Sequence, residues 1–96
     1  MLDGFAMMVM KGIIMTKVKM YTTAICAYCH AQKEFLKEHH VAFEEVGVDL
    51  DPKAAEEMIA LSGQMGVPFT VITEEDGTQT GILGFDRPKL TQALGL

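Results

Sequence analysis

Cysteine is almost missing from this chain: the 96 residues hold two, Cys26 and Cys29. A bridge between neighbours so close would shut a loop too small to staple a fold, so a secreted disulfide framework is excluded and the pair is kept for reactivity. Basic charge is also scarce. Eight Lys and Arg face 13 Asp and Glu, for a net charge of −5, and the lysines are scattered. That leaves no stripe to track nucleic-acid phosphates or an anionic membrane surface. No apolar run reaches the roughly 18 residues that a transmembrane helix needs. Internal repeats and low-complexity tracts are lacking too.

What is present suits one packed domain: 49% of residues are hydrophobic and 22% charged. A chain this short forms one core rather than two. Residues 1–16 read as an N-terminal extension, mobile or loosely docked, in front of a domain at 17–96. Asp3 comes early in this segment, Lys11 and Gly12 interrupt its apolar residues, and no small-residue cleavage site follows, so it does not read as a secretory signal. The expected location is the cytoplasm, with no membrane or nucleic-acid partner.

From Lys17 onward the pattern is regular. Val18 to Tyr21 alternates as a strand does. Residues 27–38 read as a helix with Tyr28, Ala31, Phe35 and Leu36 on its inner face. Residues 41–48 form a second strand. Asp51-Pro52 is a helix start, an N-cap followed by proline at the first position, and Gly63 a stop. Residues 68–73 and 78–83, joined by an acidic turn at Asp76-Gly77, read as a hairpin. Asp86 opens a last short helix that Gly95 ends. The order is βαβαββα: an α/β fold in which a helical crossover makes the first two strands parallel and the hairpin is antiparallel, giving a mixed sheet.

The stretch CAYCH, residues 26–30, can spell a redox dithiol, a c-type haem attachment site or half of a zinc site. Haem attachment needs export and an axial partner, His30 being the proximal candidate. Structural zinc needs four ligands, and only His30, His39 and His40 accompany the two cysteines. The location favours the dithiol. The pair falls where the first strand hands over to the first helix, and unpaired N–H groups at a helix start favour a thiolate. Cys26, just ahead of the helix, reads as attacking nucleophile; Cys29, one turn in, as resolving thiol. His30 reads as a solvated surface residue, and His39 and His40 as closing the helix.

Three segments carry a family resemblance: V-K-M-Y-T-T-A-I-C-A-Y-C at 18–29, S-G-Q-M-G-V-P at 62–68 and G-F-D-R-P-K-L at 84–90. Together they resemble the glutaredoxin family, most of all its small YruB-type, glutaredoxin-like members. The resemblance spans residues 17–96. It implies a thioredoxin fold with a four-stranded mixed sheet and three helices, and a cis peptide before Pro68. It also implies a substrate-binding rim of Tyr28, Val67, Pro68, Gly84, Phe85 and Asp86, with Val67 offering its backbone to the substrate.

The activity so implied is that of a thiol–disulfide oxidoreductase and electron carrier. It would reduce protein or mixed disulfides through Cys26 and Cys29, with no bound cofactor and no metal. Its electrons would come from glutathione or from a flavin-dependent, thioredoxin-reductase-type enzyme. Thr23 stands where many glutaredoxins carry a lysine for a glutathione carboxylate, Met65 replaces a basic or amide residue beside Gln64, and paired glycines become Leu83-Gly84. Asp86 alone matches a glutathione contact. Poor turnover with glutathione is therefore expected. The alternative is a non-catalytic module that binds or delivers a metal or an iron–sulfur cluster through Cys26.

Overall fold

The computed structural model describes residues 16–96. Of the expected N-terminal extension, 1–15 lie outside the described residues. Four strands and three helices follow in the expected order: β1 (Lys17–Thr22), α1 (Ala27–Glu38), β2 (Glu44–Gly47), α2 (Pro52–Ser62), β3 (Phe69–Thr73), β4 (Gln79–Leu83) and α3 (Arg87–Leu94). The strands form one sheet in the order β2-β1-β3-β4. β1 and β2 are parallel, while β1–β3 and β3–β4 are antiparallel. This is the mixed sheet of a thioredoxin fold.

Alternation along the strands sends side chains to two faces, and each face has its own core. Val18, Met20, Ile72 and Ile82 pack with Cys29, Phe35 and Leu36 of α1 and Leu90 of α3. Tyr21, Phe69 and Val71 pack on the other face with Ala54 and Met58 of α2. The sheet is thus sandwiched, with α1 and α3 on one side and α2 on the other. Gly81 belongs to the α2 face, where a Cβ would stand 3.0 Å from the Phe69 ring.

Two expectations need correction. Tyr28 and Ala31 lie on the solvent side of α1; the buried face is Cys29, Gln32, Phe35 and Leu36. The second strand begins at Glu44 rather than Val41, because residues 39–41 terminate α1 instead. His40 adopts φ 57°, its N–H donates to the Lys37 carbonyl at 3.0 Å, and the Val41 N–H donates to that of Leu36 at 2.9 Å. This is a Schellman closure with histidine where glycine is usual. The other boundaries follow the sequence. Asp51 caps α2 by accepting from Lys53 and Ala54 N–H, and Gly63 closes it in the left-handed region.

Candidate active site

β1 ends at Thr22, and four loop residues bring the chain to α1. Cys26 is the N-cap, in extended conformation (φ −88°, ψ 109°). Its Sγ accepts the Cys29 N–H at 3.0 Å, so sulfur fills the capping place usually taken by oxygen. The two residues are joined as a disulfide, with Cα atoms 5.2 Å apart. Cys26 is half-buried, whereas Cys29 is only 1% exposed. No acidic residue occupies the first turn of α1, so the positive end of that helix stays free to stabilise an anion at its cap.

The approach loop is tied at both ends of Ala24. The Asp49 carboxylate, from the connection between β2 and α2, accepts the Ala24 N–H at 3.1 Å. The His30 ring Nε2 lies 3.3 Å from the Ala24 carbonyl. His30 is exposed as expected, but it is engaged with the loop. The next residue, Ile25, is 95% exposed beside the pair.

The loop from Gly63 to Pro68 brings up the second side. Gln64 folds back onto it, donating through Nε2 to Ser62 Oγ at 3.2 Å and to the Gly66 carbonyl at 3.3 Å; its Oε1 accepts the Gly66 N–H. The Gln64 amide is therefore occupied within its own loop. The Val67–Pro68 peptide is cis. Val67 is half-buried and Pro68 fully buried. Gly84, at φ 78°, donates its N–H to the Pro68 carbonyl at 2.8 Å, a conformation that glycine reaches at least cost.

Cys26, Val67 and Phe85 all pack against the core cluster that contains Cys29. Phe85 meets Phe35 edge-on, ring centroids 5.8 Å apart. Tyr28, between the two cysteines, is 70% exposed. Asp86 is half-buried, and its carboxylate caps α3 by accepting the Lys89 N–H at 3.1 Å.

Polar support lies on both sheet faces. Thr22 donates its hydroxyl to Glu45 at 2.8 Å, and Lys33 approaches the same carboxylate at 3.1 Å. The Thr22 hydroxyl, helped by Lys33, holds the Glu45 carboxyl below its ordinary range. On the other face the Tyr21 hydroxyl donates to Glu57, which also pairs with Lys19 at 2.9 Å. Burial, reinforced by that carboxylate, raises the Tyr21 phenol.

Asp49, Gln32 and Ile25 are the residues that sequence reasoning missed here. A lone aspartate between strand and helix carries no pattern, and a glutamine in a helix reads as solvated. Ile25 gave more warning, being an apolar residue directly ahead of the first cysteine. A cavity of about 430 Å³ lined by Lys17, Lys19, Phe43, Glu44 and Val71, among others, opens at the far end of the sheet and takes no part in this site.

Residues 18–76 match the glutaredoxin family model. The chain belongs to the glutaredoxin family. It is 38% identical over 77 residues to a glutaredoxin-like 8.6 kDa protein in the rubredoxin operon of Clostridium pasteurianum, covering 80% of this chain and 96% of that protein. Among solved structures, the thioredoxin-like protein BC3987 is 36% identical with a TM-score of 0.71, over 81% of this chain and all of that one (100%). The glutaredoxin-like NrdH-redoxin of Escherichia coli, described as having a thioredoxin-like activity profile, is 26% identical with a TM-score of 0.68, over 79% and 92% of the two chains. Glutaredoxins are thiol–disulfide oxidoreductases, and in this member Cys26 and Cys29 form a disulfide-capable pair. The cluster-delivery alternative gains no support from these relatives. Among the described residues no helix is long and apolar enough to cross a membrane.

Proposed function

We propose that this protein reduces protein disulfides or mixed disulfides as a small cytoplasmic electron carrier, and that a thioredoxin-reductase-type flavoenzyme reduces it in turn. The observation that carries the reading is the asymmetry of the pair: Cys26 caps the open end of α1 and reaches solvent, while Cys29 is sealed behind it.

In the reaction so read, the Cys26 thiolate attacks one sulfur of a substrate disulfide. A mixed disulfide forms and the first substrate sulfur leaves as a thiolate that takes up a proton. Cys29, losing its proton, then attacks Cys26 Sγ, closes the intramolecular disulfide and releases the second substrate thiol. Two electrons pass to the substrate, and the product state is the bonded pair described above. The substrate would lie across Tyr28, Val67, Pro68, Gly84, Phe85 and Asp86, with Val67 offering backbone pairing. The 95% exposed Ile25 and the 75% exposed Met65 extend that rim as apolar surface, which fits a polypeptide better than a charged tripeptide.

The choice of reductant rests on what the glutathione contacts have become. Thr23 brings no positive charge, the Gln64 amide is engaged in its own loop, and the Asp86 carboxylate already caps α3. The test is NADPH-driven reduction of a protein disulfide, run with thioredoxin reductase and, side by side, with glutathione and its reductase. Faster turnover with thioredoxin reductase, abolished by Cys26→Ser, is the expected result. Full activity in Cys26→Ser would remove the nucleophile assignment, and faster turnover with glutathione would reverse the choice of reductant.

A further inference from the structure

One buried polar atom on the inner face of α1 has no partner in the disulfide state. Gln32 is fully buried at 0% exposure, as is Thr70. The Gln32 Nε2 donates to Thr70 Oγ1 at 2.6 Å, while its Oε1 accepts nothing among the described residues. A buried acceptor left open is costly and calls for an explanation.

Its position supplies one. Gln32 is three residues beyond Cys29 on the same helix, and both are on the buried face. Residues at that spacing stack one above the other, with Cβ atoms about 5–6 Å apart. Helical side chains lean towards the N-terminus, over the preceding turn, so Gln32 leans towards the turn that holds Cys29. Thr70, which anchors the amide nitrogen, follows the cis Pro68 by two residues on β3. The carboxamide is therefore held by its nitrogen on the buried face of α1, three residues beyond Cys29, with its oxygen open.

We propose that Gln32 Oε1 is the acceptor for the Cys29 thiol proton in the reduced protein, and so sets how readily this pair takes up electrons. Reduction by a dithiol moves two electrons and two protons to the Cys26–Cys29 disulfide, and the donor closes to a disulfide of its own. One proton ends on Cys29 Sγ, where no water reaches it, and the Gln32 oxygen takes the new S–H as a hydrogen bond. In the oxidised protein that bond has no donor. The orphaned acceptor weighs against the disulfide and the satisfied one favours the dithiol, so both effects push the equilibrium towards reduction.

The inference rests on the reading of the pair as a redox couple, and its test separates the two. The exchange equilibrium with dithiothreitol is measured for the full chain, for Gln32→Met, which keeps the bulk and loses the oxygen, and for Thr70→Val. Gln32→Met should shift the equilibrium about tenfold towards the disulfide, which for a two-electron couple is about 30 mV. Thr70→Val should change it less than about twofold, because the nitrogen it orphans is orphaned in both states. In Cys26→Ser, which carries the Cys29 thiol alone, the infrared S–H stretch should lie at lower frequency than in the Cys26→Ser, Gln32→Met double variant.

An unchanged equilibrium in Gln32→Met, an equal shift in Thr70→Val, or an S–H band indifferent to Gln32 would each overturn the proposal. A wild-type pair that dithiothreitol cannot reduce would instead overturn the redox reading itself.

Discussion

The Cys29 N–H points at Cys26 Sγ from 3.0 Å, inside the same four residues that the disulfide closes. One sulfur is thus both the cap of α1 and the exposed member of the couple. If Cys26 attacks and Cys29 resolves, Cys29→Ser should stop after the first step. Incubated with a protein disulfide, it should accumulate a one-to-one covalent adduct that mass spectrometry detects and dithiothreitol releases. Cys26→Ser should form none. Adduct through residue 29 in that variant would invert the assignment.

Asp49 holds the approach loop through the Ala24 N–H. The bond is exposed, so Asp49→Ala should cost no more than about 1 kcal/mol of stability. The loop that positions Cys26 would nevertheless move more freely. We expect reduction of a protein disulfide to slow a few-fold while thermal unfolding shifts by only a few degrees. An unchanged rate would show that the tie has no bearing on the nucleophile.

His40 occupies the left-handed position of the Schellman closure at φ 57°. For a residue with a Cβ this region costs roughly 1 kcal/mol, a cost that glycine escapes. Glycine also adds freedom to the unfolded chain, which offsets part of the gain. His40→Gly should therefore raise stability by up to about 1 kcal/mol, read as a higher urea midpoint at unchanged slope. A lower midpoint would mean that the imidazole makes a contact worth more than the backbone relief.

Glu45 gives the acid side of the stability curve. Its carboxyl is held below the ordinary value chiefly by the Thr22 hydroxyl, then by Lys33. A folded-state value below the unfolded one contributes stability that is complete above the unfolded value. That contribution is lost as pH falls through the folded one. Since the group is partly exposed, solvent screening keeps it under about 1 kcal/mol. Urea midpoints measured from pH 6 downwards should fall less steeply for Glu45→Gln than for wild type, the two converging below the folded value. Parallel curves would remove Glu45 from the account.

Much of this was legible from the order of residues. Period-two runs gave the strands, Asp51-Pro52 and Gly63 bounded α2, and the CxxC sat where a strand meets a helix. The reading failed where a residue's usual company misled. Tyr28 and Ala31 are apolar enough to read as inward, but Cys29, Phe35 and Leu36 take the sheet-facing side of α1 and leave them outside. Gln32 carries no signal of its own in the sequence, and Thr70, 38 residues away, gives it a buried partner that no local pattern announces. Val41 has a strand former's shape, and the helix closure uses its N–H instead. The cis Val67–Pro68 peptide came from family resemblance; the residues alone show a proline opening a strand.

The four-strand order has one more consequence. β1, which leads to Cys26, and β3, which Pro68 introduces, are the two interior strands, and the outer positions fall to β2 and β4. Fluctuations that unzip a sheet begin at its margins. Either margin can peel and re-anneal while the sulfur pair and the proline loop keep their mutual register, so the amides of Met20 and Thr70 should be among the last to trade hydrogen for deuterium.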